Sequence, residues 1–269
     1  MLHRRVITAA ALAAATLGVI VCARPGPEPA ATAATAPSAS PQASAPQTAA
    51  PMPTREEIIK EFTKASTGNV ADAVDEATGQ RGFMFHDMKP IYKAKIIGQA
   101  ATARLRRVLK NDGRDYPNRQ LEILDETPAG GILVYVGEDG LETAFIGNLM
   151  ATTAKIRGLA GVVIDGGARD IDEIQQIGMP VFSRSVTPST SVGRYISLDK
   201  NVPVMCAGVM VKPGDWIVGD VTGVVAVPQE KVADVVKLLR QYDEKETKMV
   251  EIIKQEKSML KALAKYNRY

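Results

Sequence analysis

The stretch Gly147–Glu173 constrains this chain more than any other, because it contains the signals of two helices and a strand. It reads GNLMATTAKIRGLAGVVIDGGARDIDE. Apolar residues at helical spacing predict a helix that ends near Gly158. The β-branched run Gly161–Asp165 predicts a buried strand, which Gly166 and Gly167 interrupt, and a second helix is predicted from Asp170 to Gly178. Free backbone N–H groups at the start of a helix favour anions, so an anion site is expected where the strand gives way to the helix.

Arg169 and Asp170 lie at this junction and have two interpretations. The first is a capping box, in which Asp170 caps the helix and Glu173 bonds back to it. The second is chemical, because Arg binds carboxylates with two parallel hydrogen bonds and Asp is a hard oxygen ligand for Mg²⁺. An adjacent Arg and Asp could then hold a 2-oxo acid and a metal ion together. The two roles are compatible.

The segment closely resembles the RraA-like family, which includes 4-hydroxy-4-methyl-2-oxoglutarate aldolases and regulators of ribonuclease E activity. The resemblance extends over nearly all of the chain beyond the first fifty-odd residues. The residues that carry it are Gly147, Leu149, Met150, GLAGVVIDGGARD (Gly158–Asp170), Glu173, PVFSRSVTPSTSVGR (Pro180–Arg194), VKPGDWIVGDVTGVVAVP (Val211–Pro228) and STGNVADAVDEATG (Ser66–Gly79).

The resemblance implies a metal-dependent lyase that acts on a small 2-oxo acid. The implied reaction is aldol cleavage releasing pyruvate, decarboxylation of oxaloacetate, or both, through an enolate that a divalent cation stabilises. In this interpretation Arg169 and Asp170 are catalytic, Arg169 binds the substrate carboxylate, and Asp170 ligates Mg²⁺ or Mn²⁺. The substrate is also expected to contact Gly147, Asn148, Leu149 and Met150. Family members are trimers or hexamers with sites between subunits, so a homotrimer or hexamer is expected.

Asn148 departs from the family pattern, in which catalytically competent aldolases usually carry an acid directly after the glycine equivalent to Gly147. An amide can hold a water molecule but cannot act as a general base. The alternative function is therefore a non-catalytic RraA-like binding or regulatory protein. A lyase with another substrate, suited to Asn148, is a third interpretation.

The first residues of the chain predict export. Arg4 and Arg5 precede an apolar run, and Ala23 ends a small-residue cleavage pattern, so residues 1–23 are interpreted as a signal peptide. A lipoprotein attached through Cys22 is the alternative, and the membrane is expected as a partner only if the signal stays uncleaved or lipidated. The predicted location is periplasmic or secreted, which argues against a cytoplasmic ribonuclease as partner. Residues 24–53, rich in Ala, Pro and Ser, predict a disordered linker.

Composition and missing motifs narrow the function further. The net charge is +3, and about +1 without the first 54 residues, so no nucleic-acid partner is expected. The only histidines are His3 and His86, which excludes a His-rich zinc site. The sequence contains no P-loop, dinucleotide fingerprint or nucleophile elbow. A basic cluster at Arg104, Arg106, Arg107 and Lys110 is interpreted as a solvated strand face, with a rim that attracts anions as the alternative.

The remaining segments predict an α/β protein with a layered β/β/α arrangement. Thr54 opens a helix through a capping-box pattern, and Ser66–Ala77 is a second helix. Many short β-branched runs with few helices favour this arrangement over a doubly wound sheet. The resemblance implies the same swivelling β/β/α domain of the RraA-like type, assigned to residues 54–242. Residues 243–269 are predicted to be an added C-terminal helical extension that docks on a neighbouring element or subunit, with a solvated arm as the alternative.

Overall fold

The computed structural model describes residues 52–108 and 116–266, which form amphipathic helices and mostly short, β-branched strands. The predicted signal peptide, the linker up to residue 51 and Lys110 lie outside the described residues. The helices are α1 Arg55–Lys64, α2 Thr67–Thr78, α3 Arg119–Glu126, α4 Asn148–Ile156, α5 Ile171–Ile177, α6 Val232–Glu256 and α7 Met259–Tyr266. The strands are β1 Lys89–Pro90, β2 Ile96–Arg107, β3 Gly131–Gly137, β4 Gly161–Ala168, β5 Val181–Val186, β6 Tyr195–Lys200, β7 Val204–Cys206, β8 Val209–Val211, β9 Trp216–Asp220 and β10 Gly223–Val227.

One mixed sheet, nearly closed like a barrel, forms the centre of the molecule. Its main strand order is β1-β5-β4-β3-β2-β9-β10, and β6 pairs with the second half of β2. Strands β2 to β5 run parallel, whereas β9, β10, β6 and β1 pair antiparallel with their neighbours. The short β7–β8 hairpin is a separate sheet. This arrangement confirms the predicted α/β class and the β/β/α domain.

Buried side chains on the two faces of the sheet hold the helices and the β7–β8 hairpin in place. On one face, α3, α4 and α5 pack over Leu133, Tyr135 and Ile164. On the same face farther along the sheet, α1, α2 and α6 pack around Trp216, whose ring contacts Phe62 edge-on with 5.9 Å between the ring centroids. The opposite face of the parallel strands packs against the β7–β8 hairpin. The parallel strands therefore have both faces covered, and their carboxyl ends open toward α4 and α5.

The predicted break of the central strand at its glycines is wrong. β4 continues through Gly166 and Gly167 to Ala168, with a shift of register against β5 between Ile164 and Gly167. The Phe145 ring takes the room that side chains would occupy, because a Cβ at Gly166 would lie 2.4 Å from it. Glycine here permits close approach of a ring and leaves the strand intact.

The predicted helix starts agree with the structure at α1 and α2. Thr54 makes both hydrogen bonds of a capping box with Glu57. Ser66 accepts a hydrogen bond from the Asn69 N–H at the start of α2. Helix α3, in contrast, was not among the predicted elements.

The C-terminal segment is helical, and α6 runs without interruption across the proposed boundary between residues 242 and 243. The first half of α6 buries Val235, Val236 and Leu239 against the sheet side. Lys257, in a left-handed conformation, ends α6 before α7 begins. Within residues 52–108 and 116–266, no helix combines the length and the apolar character that crossing a membrane requires.

Candidate functional site

The start of α4 and the β4–α5 junction meet at the carboxyl end of the parallel strands. The Arg169 N–H donates to the Ile146 carbonyl at 3.1 Å, which fixes the two segments side by side. The Asn148 N–H donates to Asp170 Oδ2 at 2.9 Å. The contact joins residues 22 positions apart, so the tertiary fold and not the local sequence creates it.

The predicted capping box at Asp170 is wrong. Asp170 occupies the N-cap position of α5, but its side chain makes no capping hydrogen bond there. Its backbone is left-handed, with φ 58° and ψ 46°, and its carboxylate instead caps the neighbouring helix α4. A left-handed conformation is strained for a residue with a side chain, although Asp tolerates it better than most, and such strain is concentrated at functional sites.

Gly147 brings the backbone close to both candidate catalytic side chains. A Cβ at this position would lie 2.6 Å from Asp170 Oδ2 and 3.0 Å from Arg169 Nε. Arg169 Nε lies 3.6 Å from Asp170 Oδ2, and both side chains are partly exposed. Gly147 has an extended backbone, so it is needed here for space and not for an unusual φ.

All six predicted site residues line one cavity of about 450 Å³. They are Gly147, Asn148, Leu149, Met150, Arg169 and Asp170. The size falls within the range of about 300–1,000 Å³ that is typical of small-molecule sites. The positive end of α4 opens into the cavity. Among the described residues, no protein atom accepts a hydrogen bond from the N–H of Leu149 or Met150, so both are available to an anion.

Helix α3 supplies a wall that the sequence did not predict. Gln120, Leu121 and Leu124 line the cavity from this helix. Gln120 holds the helix in place by donating from Nε2 to the Phe145 carbonyl at 2.5 Å, while the Tyr135 hydroxyl donates to the Gln120 carbonyl at 3.0 Å. A further wall comes from the loop at Thr190–Val192. The apolar pair Leu121 and Leu124, three positions apart, was the available signal for α3.

Asp170 is suited to hold a divalent ion that is otherwise surrounded by water. No cluster of three or more His, Cys, Asp or Glu side chains occurs within 52–108 and 116–266. Mg²⁺ commonly binds proteins through one or two carboxylates and keeps several waters, so one carboxylate beside an open cavity fits this ion. The donor set does not fit a closed four-ligand zinc site.

A hydrogen bond within α4 holds the side chain of Asn148. Its side-chain carbonyl accepts from the Thr152 hydroxyl at 3.2 Å. The amide N–H groups are therefore what this side chain can offer to a ligand or a water molecule.

Two residues of the predicted basic cluster, Arg104 and Arg106, do not line this cavity and are paired with acids. Arg104 forms an ion pair with Asp199 at 2.5 Å, and Arg106 lies 3.4 Å from Glu138. These exposed pairs agree with the interpretation of a solvated strand face.

Comparisons with known proteins identify relatives of this chain. Residues 67–226 match the RraA-like family, described as Aldolase/RraA. An uncharacterized protein of Methanocaldococcus jannaschii is 43% identical over 119 residues, which are 44% of this chain and 56% of that protein. The 4-hydroxy-4-methyl-2-oxoglutarate aldolase of Thermus thermophilus is 32% identical over 108 residues, 40% of this chain and 65% of that protein. The match thus spans less than two thirds of either relative.

A solved structure shares the fold. An uncharacterized protein from Pseudomonas syringae pv. tomato superposes with a TM-score of 0.68 at 26% identity, covering 78% of this chain and 98% of that one. The similarity includes the sheet that positions the cavity.

Proposed function

Because this chain belongs to the RraA-like family, described as Aldolase/RraA, we propose that it is a divalent-metal-dependent lyase that acts on a 2-oxo acid. The reaction is aldol cleavage that releases pyruvate, decarboxylation of oxaloacetate, or both. One observation carries the proposal. The Arg169 guanidinium, the Asp170 carboxylate and the free N–H groups of α4 line the same cavity.

These groups match the parts of a 2-oxo acid. Arg169 binds the substrate carboxylate, and the N–H groups of Leu149 and Met150 add hydrogen bonds at the positive end of α4. Asp170 would hold Mg²⁺ or Mn²⁺, and a bound ion supplies positive charge beside the developing enolate. The hydrogen bond from the Asn148 N–H keeps the Asp170 carboxylate in one orientation. The left-handed backbone of Asp170 then helps to orient this carboxylate toward the cavity.

Asn148 affects the two reactions differently. Aldol cleavage requires the loss of a proton from the C4 hydroxyl, and the Asn148 amide cannot accept it. A water molecule held by the amide N–H groups is the proton acceptor in this proposal. Decarboxylation requires no such proton transfer, so oxaloacetate belongs in any assay of the protein.

A non-catalytic binding or regulatory role is the second candidate, and the observation that favours it is Asn148 at the position of an expected acid. The two candidates differ in turnover and share the ability to bind a 2-oxo acid.

The deciding experiment measures pyruvate release from oxaloacetate and 4-hydroxy-2-oxo acids, with and without Mg²⁺. We expect turnover that needs the metal ion. Asp170→Asn keeps an acceptor for the Asn148 N–H but removes the charge, so metal affinity should fall about tenfold or more with the fold retained. Arg169→Lys keeps the charge and loses the two-pronged geometry, so oxo-acid binding should weaken. Oxo-acid binding without turnover would favour the non-catalytic role, and unchanged metal binding in Asp170→Asn would contradict the metal site.

A further inference from the structure

A buried amide forms the corner at which two cavities meet. Gln120, from α3, is 7% exposed and lines both the cavity around Arg169 and Asp170 and an adjoining cavity of about 220 Å³. Among the described residues that line the larger cavity, Gln120 is the only polar side chain that is buried. Buried polar atoms in native proteins generally have hydrogen-bond partners, so the partners of Gln120 show what this corner can bind.

Contacts with the protein fix the orientation of this amide. Gln120 Nε2 donates to the Phe145 carbonyl at 2.5 Å, and since a carbonyl only accepts, the nitrogen end of the amide must face it. The Gln120 backbone carbonyl accepts from the hydroxyl of the buried Tyr135 at 3.0 Å. No group within residues 52–108 and 116–266 donates to Gln120 Oε1, and this oxygen retains accessible surface. Gln120 therefore presents a fixed and unused acceptor to the cavities that it lines.

The free oxygen of Gln120 selects a hydrogen-bond donor. An amide oxygen binds a hydroxyl or a water molecule and repels a carboxylate. Asn148 lines the same cavity and offers the opposite group, because its side-chain carbonyl accepts from Thr152 and its N–H groups are what it can give to a ligand. A water molecule held inside a protein typically makes about three hydrogen bonds. One water can thus accept from Asn148, donate to Gln120 Oε1 and keep a lone pair for the substrate.

We propose that Gln120 is a positioning residue for aldol cleavage, which orients the water molecule that accepts the proton of the C4 hydroxyl. This inference rests on the proposed lyase function. In the cleavage, that proton passes to the water and C4 becomes a carbonyl carbon. The C3–C4 bond breaks, its electron pair forms the enolate of pyruvate, and the enolate takes a proton from the solvent at C3 while the water releases one. The hydrogen bond to Gln120 Oε1 stabilises the water as it gains positive charge.

Two reactions of the same protein test the proposal. Pyruvate release from 4-hydroxy-2-oxoglutarate requires the oriented water, whereas release from oxaloacetate removes no hydroxyl proton, so the ratio of the two kcat/KM values reports on Gln120. Gln120→Met has a similar length and no acceptor oxygen. We expect it to lower this ratio by about tenfold or more, through kcat and not KM, because a positioned proton acceptor commonly contributes more than this. An unchanged ratio would overturn the proposal and leave the lyase function standing.

Two further variants separate the water from the packing of α3. Tyr135→Phe removes the donor to the Gln120 backbone carbonyl and leaves the Gln120 side chain in place, so it should lower the melting temperature and keep the ratio. In Gln120→Glu, burial favours the neutral carboxyl, whose O–H can donate to the Phe145 carbonyl while the other oxygen faces the cavity. The ratio should then stay near the native value. A ratio in Gln120→Glu or in Tyr135→Phe as low as in Gln120→Met would contradict the orienting role.

Binding decides the proposal if the native protein leaves 4-hydroxy-2-oxoglutarate intact. Calorimetry in the presence of Mg²⁺ then compares this acid with 2-oxoglutarate, which lacks the C4 hydroxyl. Because the water at Gln120 contacts that hydroxyl, Gln120→Met should weaken the binding of the hydroxy acid several-fold and leave that of 2-oxoglutarate unchanged. Equal effects on the two acids would overturn the role of Gln120. Selective weakening without pyruvate release from either substrate would support it and contradict only the lyase function.

Discussion

The backbone at Gly147 lies close to the side chains of Arg169 and Asp170, which belong to the β4–α5 junction. Any side chain here would enter the space of Arg169 and Asp170, whose nearest atoms lie 3.0 and 2.6 Å from the point that a Cβ would occupy. The neighbouring atoms are the ends of side chains, so a substitution displaces the candidate catalytic groups more readily than it displaces the backbone.

Gly147→Ala should therefore reduce oxo-acid binding and turnover by about tenfold or more, since displacing catalytic groups by about 1 Å can cost this much or more. The melting temperature should change little. Steady-state kinetics and thermal melts measure the two effects. Gly68→Ala is the matched control in the first turn of α2, where a Cβ makes only an ordinary contact at 3.7 Å. Full activity in Gly147→Ala would contradict the role of this close approach.

Among the elements, the junction of β4, β5 and the β7–β8 hairpin is held by one arginine. Arg184 on β5 donates to Asp87 with Nη2–Oδ2 at 2.9 Å and to Asp165 with Nη1–Oδ1 at 2.8 Å. Asp165 also accepts from the Ala207 N–H at 2.6 Å. Asp165 therefore links β4 to the β7–β8 hairpin.

The hydrogen bond and charge of Arg184 hold the pKa of Asp87 below its ordinary value. A carboxylate with a lowered folded pKa stabilises the fold above its unfolded pKa of about 3.9, and this contribution is lost as the pH falls through the folded value. Asp87→Asn should lower the free energy of unfolding at pH 7 by about 1 to 3 kcal/mol. The difference from the native protein should shrink below pH of about 4.

Urea unfolding across a pH series measures this difference. Asp243→Asn, an exposed position on α6, should change the free energy of unfolding by less than about 0.5 kcal/mol. A pH-independent loss in Asp87→Asn would show that the charge of Asp87 is not what stabilises the junction.

At the scale of the whole molecule, the chain presents apolar side chains that its own fold leaves uncovered. Leu260 is 79% exposed on α7, and Val250 is 45% exposed on α6. Subunit contacts commonly cover such side chains.

We predict that the protein without its first 23 residues is a homotrimer or a hexamer, as its family membership suggests. Sedimentation equilibrium at micromolar concentration measures the mass directly. A monomer under these conditions would contradict the prediction. It would also mean that no partner subunit contributes to the cavity.

Export is predicted from residues 1–23, which lie outside the described part of the chain. Mass spectrometry of the protein isolated from its native host should find a mature chain that begins near Arg24. A lipid on Cys22 would instead support the lipoprotein alternative, whereas an intact Met1 in a cytosolic fraction would contradict export.

The sequence by itself determined the elements whose signals are local. The capping pattern at Thr54, the helix before Gly158 and the strand from Gly161 each depend on residues a few positions apart, and helical or strand periodicity reports such neighbours directly. The resemblance added the family, the fold and the six residues that the structure places around one cavity.

Only the tertiary structure decided what those residues contact. Asp170 resembles the cap of its own helix in sequence, yet its carboxylate binds the start of α4, 22 residues away. The glycines after Asp165 resemble a turn, yet they remain in β4, where the Phe145 ring packs against Gly166 and the Thr143 carbonyl lies close to Gly167. Helix α3 lies beside the cavity, where the Gln120 side chain donates a hydrogen bond to the Phe145 carbonyl and Leu121 and Leu124 line the space. These contacts join segments distant in sequence, and local patterns carry no information about which segments the sheet brings together.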